Sequence, residues 1–413
     1  MIKALHIING LAIGGAEMNL VRLLGSMDRR RFENSVVSLR RIDSLTPRLR
    51  GLGIRTEMLD MRGLATAITS MPKLIGLIQE VRPHVVHTSM YHASLLGLLA
   101  NRLAGNAPLI WSIHSSEQDF STYSSGLKPV FRLLSRLASI PDAVVFNSYV
   151  SHQWHQQIGF KFRRWQLIPN GVDTHAFCPD SKARACLRSE LGLTEDDLIL
   201  GTVGRFHPQK DYPTFLRAFA KLCRTVRNAH AVIVGSGLTP ANRELAQLAE
   251  LLGIDNRLHM LGPRSDIQSI VGGFDLFVLA SAFAETCPTV LIEAMACGVP
   301  CVATDVGDSA RIIGDTGKIV PVRNASALAA ACAEVLSTRC ASSPASARQR
   351  IQERYSIEIM TKGFADLFED LVNRRTQAAF DPDLMEPADL AMDANSTRLP
   401  RMKTSEPCVR RDR

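Results

Sequence analysis

Residues 285–300 read ETCPTVLIEAMACGVP, with two carboxylates eight residues apart around a turn and a helix start. Ahead of them, Asp275 to Leu279 (DLFVL) is a short apolar run of the kind that forms a buried parallel strand, and Ala280 to Pro288 is a loop of mostly small and polar residues. The strand therefore delivers Glu285 near its carboxyl end. Thr289 to Cys297 carries Val290, Leu291, Ala294 and Met295 at helical spacing, and Gly298 and Pro300 end the helix. Glu293 then lies on a helix whose amino end faces the same crevice. Backbone N–H groups near Thr286, Cys287, Thr289 and Val290 are unpaired donors suited to phosphate or sugar oxygens, whereas Pro288 has none to give. A carboxylate at each end of the segment accepts hydrogen bonds from vicinal hydroxyls, one pair on a hexose and one on a ribose, which suits a nucleotide diphosphate sugar. The competing reading is structural: Glu285 caps the helix and Glu293 is a solvated helix residue. An isolated pair favours the structural reading, so the rest of the chain has to decide.

Outward from this segment the pattern is an alternation. Ala4 to Ile8, Ser35 to Leu39, Val85 to His87, Leu109 to Ile113 and Ala143 to Phe146 are short apolar runs separated by helical patterns such as Ala16 to Met27 and Met71 to Val81. The alternation restarts at Leu198 to Val203 and continues through Ala231 to Val234, Arg257 to Leu261, Asp275 to Leu279 and Val299 to Ala303. The expected fold is α/β: two Rossmann-like α/β/α domains facing each other across a cleft. Ligands of open α/β sheets bind outside the carboxyl ends of the strands, so the loops after Ile8, Ile113, Val203, Val234 and Leu279 should line that cleft. The expected organisation is an N-terminal domain over 1–168, a linker over 169–195 containing Pro169, Gly171 and Pro179, and a C-terminal domain over 196–356. A helix is expected over 357–372. Residues 373–413, with Pro382, Pro387, Pro400 and Pro407, charges of both signs and no sustained apolar period, are expected to be a disordered tail, in which Asp381 and Asp383 mimic a metal-binding D-x-D by chance.

Composition narrows the classes. The chain has 413 residues, enough for two cores, with 46% hydrophobic and 21% charged residues, and no stretch approaches the roughly 20 apolar residues of a membrane span. The start, MIKALHIINGL, enters a strand pattern without the features of a signal peptide, so a cytoplasmic location is expected. Nine cysteines with no C-x-x-C pair read as reduced packing residues, and no metal site or cofactor is expected. The net charge of +8 favours anionic partners, and charge alone does not choose among nucleic acid, acidic lipid and a phosphate-bearing substrate. Nucleic-acid recognition motifs are missing, and only 6% of residues are aromatic. Lys128 to Arg136 (KPVFRLLSR) puts Lys128, Arg132 and Arg136 on one helical face, either a peripheral membrane contact at the inner face or a solvated basic surface.

Other loops add candidate site residues, each with a plain structural reading beside it. Gly14 and Gly15 precede a helix, where small residues admit close backbone approach and the helix amino end favours an anion; a tight turn explains them equally well, and the spacing is not G-x-G-x-x-G. Gly204 to Asp211 (GRFHPQKD) brings Arg205 and Lys210 to a strand end, where two cations neutralise a diphosphate leaving group; either alone reads as surface charge. Gly235, in VGSG, is a tight turn near the expected nucleotide, and Arg264, in GPRSD, is a candidate beside the base. His114 follows a strand and offers a neutral imidazole to a sugar hydroxyl, although a histidine at a strand end is more often structural.

With these segments together, the chain resembles the retaining glycosyltransferases of family 4, which have the two-domain GT-B fold, over roughly residues 1 to 370. The segment from Glu285 to Glu293 is similar to the family's E-x7-E motif. Thr286 and Cys287 stand where members usually have Gly and then Phe or Leu. The resemblance implies that Gly14 and Gly15 form the first glycine loop, that Arg205 and Lys210 are the cations of the donor site, and that His114 in WSIHS faces the sugar. It also implies that NGVD (Asn170 to Asp173) is the interdomain turn, that the N-terminal domain binds the acceptor, and that the helix over 357–372 crosses back to it. The implied reaction moves a hexose from a nucleotide diphosphate (UDP expected) to a hydroxyl of a lipid-linked or polysaccharide acceptor, with retention, in cell-surface glycan synthesis. Arg205, Lys210, Glu285 and His114 would be catalytic. Gly14, Gly15, Gly204, Gly235, Arg264, Thr286, Cys287, Thr289, Val290 and Glu293 would bind the donor. The rivals are a nucleotide-sugar epimerase of the same fold, betrayed by epimerised donor without acceptor, and a catalytically silent sugar-nucleotide binder.

Overall fold

The alternation closes into two parallel sheets. The computed structural model describes residues 1–116, 127–338 and 344–380. The first sheet contains β1 (Ile2–Ile8), β2 (Phe32–Ser38), β3 (Arg55–Met58), β4 (Val85–Ser89), β5 (Leu109–Ile113), β6 (Ala143–Phe146) and β7 (Trp165–Leu167), in the order β3-β2-β1-β4-β5-β6-β7. The second contains β8 (Leu198–Val203), β9 (Ala229–Val234), β10 (Leu258–Gly262), β11 (Leu276–Leu279), β12 (Cys301–Thr304) and β13 (Lys318–Val320), in the order β10-β9-β8-β11-β12-β13. All of these pairings are parallel. Both sheets run outward in opposite directions from a central pair, β1/β4 and β8/β11, the doubly wound Rossmann arrangement. The gap between such a pair, where successive crossovers go to opposite faces, is the place a ligand binds.

Central strands are apolar on both faces because helices cover both. β5 and β11 are buried at every position. The strands that the sequence pattern missed, β3, β7 and β13, all lie at sheet edges. Their residues are half solvated, so RTEM, WQL and KIV carry no continuous apolar run.

Two further expectations change. The stretch 169–195, read as linker, contains a helix, Ser181–Leu191, whose start is capped by the Asp180 side chain on the Lys182 N–H and whose end is closed by Gly192 in the left-handed conformation. Pro169 and Pro179 masked this short helix. The helix expected to stop at Val372 spans Ile357–Phe380; residues 381–413, including the Asp381/Asp383 pair, lie outside the described residues. Ile357, Met360, Phe364, Phe368 and Leu371 pack among Ala4, Ile8, Val85 and Ile110 of the first sheet, and each such fully buried side chain stabilises by roughly 1.5–3 kcal/mol. The return is fastened where the Val172 N–H donates to the Tyr355 carbonyl at 2.9 Å and the Ile357 N–H donates to the Val172 carbonyl at 2.8 Å. The chain thus crosses between the sheets twice, which brings the carboxyl ends of β1, β5 and β6 against those of β8 and β11.

Candidate active site

The site begins at the β8/β11 gap. After β11 the chain passes Ser281, fully buried, and Ala284, which adopts φ +56, before Glu285, 7% exposed. After β8, Pro208–Lys210 forms a 3-10 turn on which Gln209 stitches the two loops: its side-chain amide donates to the Ala284 carbonyl at 3.0 Å, and its carbonyl accepts from the Ala282 N–H at 2.8 Å. This places the Lys210 ammonium 2.5 Å from Glu285 Oε1, which also accepts from the Ser281 hydroxyl at 2.7 Å. Charge-assisted hydrogen bonds of this kind fix the position of a buried carboxylate. Behind Lys210, the Tyr212 hydroxyl donates to the Gly204 carbonyl at 2.9 Å. Gly235 lies at φ +145, and a Cβ there would stand 2.0 Å from the Gly204 oxygen, so only glycine lets the loops after β8 and β9 meet.

The other end of the segment is completed from the first sheet. Glu293, 5% exposed on the helix Thr289–Ala296, accepts a charge-assisted hydrogen bond from Arg22 on the helix Gly15–Ser26. Burial pushes the Glu293 carboxyl up from its ordinary value, and Arg22 opposes that rise. Between the two carboxylates, first-sheet side chains hold the turn. The Ser116 hydroxyl donates to the Glu285 carbonyl at 3.0 Å, Asn147 to the Thr286 hydroxyl at 3.1 Å, and Asn170 to the Cys287 carbonyl at 3.0 Å. The Thr286 hydroxyl in turn reaches the His114 carbonyl at 3.4 Å. The helix itself opens at Pro288 with no side-chain cap, so the first-turn N–H groups of Thr289 and Val290 are left to other acceptors. Asp308 ties the same region down: its N–H donates to the Thr286 carbonyl, and its carboxylate accepts from the Tyr149 and Val150 N–H groups at 2.8 and 3.0 Å, at the start of the helix Tyr149–Gln157.

The geometry sorts the sequence-predicted residues. Lys210, Glu285, Thr286, Cys287, Thr289, Val290, Glu293 and His114 come together around one turn. Thr286 and Cys287 face inward: Cys287 is 4% exposed in the second core, and burial drives its thiol up to about 12. His114 has a buried Nδ1 with no hydrogen-bond partner among the described residues, and burial lowers the imidazole to about 4, so it is neutral at pH 7. Arg205 is exposed, and its charge reaches Glu17 across the cleft, where burial raises the carboxyl and Arg205 partly offsets the rise. Gly14 caps the helix Gly15–Ser26, with the Glu17 carboxylate folded against it, while a Cβ on Gly15 would meet open space. Gly204 and Gly235 form the floor described above. Arg264 is not gathered with the rest: it pairs with Glu190 at 2.5 Å and Asp266 at 2.7 Å. Sequence reasoning missed Arg22, Asn147, Ser281 and Asp308. For Arg22 a signal existed, one cation inside the apolar run Leu20-Val21-Arg22-Leu23-Leu24; Asn147, Ser281 and Asp308 carry no local pattern.

Comparison with known proteins agrees in both halves. Residues 13–176 match the family model described as Glycosyltransferase Family 4, and residues 197–338 match that for Glycosyl transferases group 1. A GDP-mannose-dependent alpha-(1-6)-phosphatidylinositol monomannoside mannosyltransferase of Mycolicibacterium smegmatis is 30% identical over 66% of this chain and 71% of its own length. A UDP-Gal:alpha-D-GlcNAc-diphosphoundecaprenol alpha-1,3-galactosyltransferase of Escherichia coli is 28% identical over 57% of this chain and 62% of its own. Among solved structures, HepE of Anabaena in complex with UDP superposes with a TM-score of 0.79 at 22% identity, covering 89% of this chain and 100% of that one.

Proposed function

This chain belongs to glycosyltransferase family 4, with the GT-B fold, and from that premise we propose that it transfers a hexosyl group, with retention, from a UDP-sugar to a hydroxyl of a lipid-linked or polysaccharide acceptor in cell-surface glycan synthesis. The observation that carries the reading is the Lys210–Glu285–Ser281 constellation in the β8/β11 gap, with Glu293 at the far end of the same turn. As the bond from the anomeric carbon to phosphate lengthens, positive charge develops on the sugar and negative charge on the departing diphosphate. Lys210 and Arg205 neutralise the diphosphate, aided by the uncapped N–H groups of Thr289 and Val290; donors fixed in place before the reaction do this most effectively. Glu285 accepts hydrogen bonds from the hexose hydroxyls, and Glu293 from the ribose, exchanging its bond from Arg22 for bonds from the ligand. His114, neutral and with a free ring nitrogen, hydrogen-bonds the sugar without adding positive charge beside the developing cation. Gly15 leaves room for the phosphates or acceptor above the start of its helix, and the Glu17 carboxylate folded against Gly14 would swing aside to admit them. Arg264, held by Glu190 and Asp266 apart from the gathered turn, would reach the nucleotide base only by leaving those pairs.

UDP is favoured by the E. coli relative and by the nucleotide bound to HepE, and the mycobacterial relative makes GDP-sugars the control. An acceptor carried at a membrane is supported by an exposed basic and apolar surface: Lys128, Arg132 and Arg136 on the helix Leu127–Leu137, with Leu133 at 42% exposure and Leu99 and Leu103 nearby on the helix Tyr91–Ala104. Among the described residues no helix is long and apolar enough to cross a membrane, so this contact would be peripheral.

The test incubates the protein with UDP-, GDP- and ADP-sugars, with and without prenyl diphosphate-linked saccharides, and measures nucleotide release and product. Sugar transfer with release of UDP is expected. Failure to release any nucleotide, or release of an epimerised donor, contradicts the proposal.

A further inference from the structure

Away from the cleft, along the outer edge of the first sheet, a cavity of about 440 Å³ lies beside β3. Its walls include Arg41 after β2, Arg50 on the helix Thr46–Gly51 and Lys73 on the helix Leu64–Val81. No side-chain hydrogen bond or ion pair joins any of these three cations to another described residue. The two carboxylates on the wall, Glu57 and Asp60, are already matched: Glu57 to Arg55, which also holds Glu80, and Asp60 to Arg62. The Arg62 hydrogen bond, with a smaller contribution from the nearby Arg41 charge, holds Asp60 below the usual carboxylate range, so it stays ionised and does not release Arg62 to the cavity. The neighbourhood therefore sets Arg41, Arg50, Arg55, Arg62 and Lys73 against Glu57, Asp60 and Glu80, and the surplus cations are the ones facing the empty volume. β3 pairs only with β2, so backbone N–H groups on its other edge, together with the Ser70 hydroxyl on the wall, add neutral donors, while the Thr56 hydroxyl already donates to the Ile54 carbonyl.

We propose that this cavity is a second binding site, separate from the Lys210–Glu285 cluster, for a phosphate-bearing group. A concave site with several unpaired cations and converging N–H and O–H donors matches the oxygen-rich, multiply charged surface of a phosphate. The assignment of that phosphate to the sugar acceptor rests on the function proposed above; the existence of the site does not.

Crystals of the full chain soaked in tungstate, a heavy phosphate mimic, should show an anomalous peak between Arg41, Arg50 and Lys73. In solution, calorimetric titration of inorganic pyrophosphate should resolve two sites in the wild type. Arg50→Ala with Lys73→Ala should weaken one of them by about tenfold or more, and Lys210→Ala the other. Arg50 and Lys73 are exposed, so the double variant should keep the wild-type melting temperature. An empty cavity in the soaked crystal, a peak held only by lattice neighbours (an adventitious ion only), or a titration unchanged in the double variant overturns the proposal. A further arm separates the sources. A KM for a diphosphate-linked acceptor raised about tenfold with the donor KM unchanged assigns the site to the acceptor. An unchanged acceptor KM with the pyrophosphate site lost assigns it to free phosphate. Because binding is read without turnover, a protein that transfers no sugar still answers the question.

Discussion

The two ends of one nine-residue segment are prepared in different ways. Glu285 is served within its own sheet by Lys210 and Ser281, on loops joined through Gln209, whereas Glu293 depends on Arg22 from the opposite sheet. One end of the site is therefore assembled by the fold of a single lobe and persists whatever the other lobe does. The other end is compensated only when the lobes are together, so its buried carboxylate couples closure to the charge on one arginine. Taking an ionised carboxylate out of water costs several kcal/mol unless a partner offsets it, and this is what makes the second arrangement conditional.

The largest effect should come from the self-sufficient end. Lys210→Ala removes the cation proposed to face the departing diphosphate, and turnover is expected to fall by about 10²- to 10³-fold in steady-state assays. A variant with near-normal turnover breaks the comparison, because Lys210 would then only balance Glu285.

Next in size is Arg22→Ala, which should destabilise the protein by about 1–3 kcal/mol in denaturant titrations, less than a fully buried pair because the Arg22 side chain is 21% exposed. The pH dependence has a defined sign. The folded Glu293 carboxyl sits above its ordinary 4.5, so its contribution to stability is complete below that pH and is lost as pH rises through the folded value. Removing Arg22 raises the folded value further. The deficit of the variant should hence be greatest near neutral pH and vanish near pH 4. A deficit independent of pH would show that Arg22 acts through packing alone.

The lobes also differ in their response to acid. His6, His114 and His155 are buried and lowered to about 4, and His87 is lowered well below 6.5, all through burial and all in the first lobe. His6, His87 and Ser112 form one chain of hydrogen bonds beneath Phe364 and Phe368, at 2.9 and 2.6 Å. These rings stay neutral when folded and gain protons when unfolded, so first-lobe stability is full above pH 6.5 and falls as pH drops toward 4, by up to about 1.4 kcal/mol per pH unit for each ring. Trp111, Trp154 and Trp165 all belong to the first lobe, so tryptophan fluorescence reads this loss selectively. Denaturation midpoints that do not move between pH 7 and 5 contradict it.

Two further substitutions should be read in stability rather than in turnover. Gly307→Ala places a Cβ 2.4 Å from the Glu285 carbonyl at φ +61 and is expected to cost about 1–3 kcal/mol, seen as a lower melting temperature. Arg264→Ala breaks partly exposed pairs and should change stability by less than about 1 kcal/mol, with a donor KM shift smaller than that of any cleft variant.

The same contrast explains what the sequence made legible. Apolar runs announce strands that are buried on both faces, so β1, β4, β5, β8 and β11 were visible while the edge strands β3, β7 and β13 were not. Likewise Glu285, Lys210 and Glu293 sit on loops and helix starts read from the strand ends before them. The partners that complete them from afar, Arg22 from 271 residues away and Asn147 from 139, depend on how two separately folded sheets meet, and no local periodicity encodes that.

The most direct test is a crystal structure with a UDP-sugar bound. The account predicts the diphosphate within hydrogen-bond reach of Lys210 and Arg205, the hexose on Glu285, and the ribose on Glu293 with Arg22 turned away from it. A nucleotide seated elsewhere, with the Lys210–Glu285 and Arg22–Glu293 pairs intact, would contradict it.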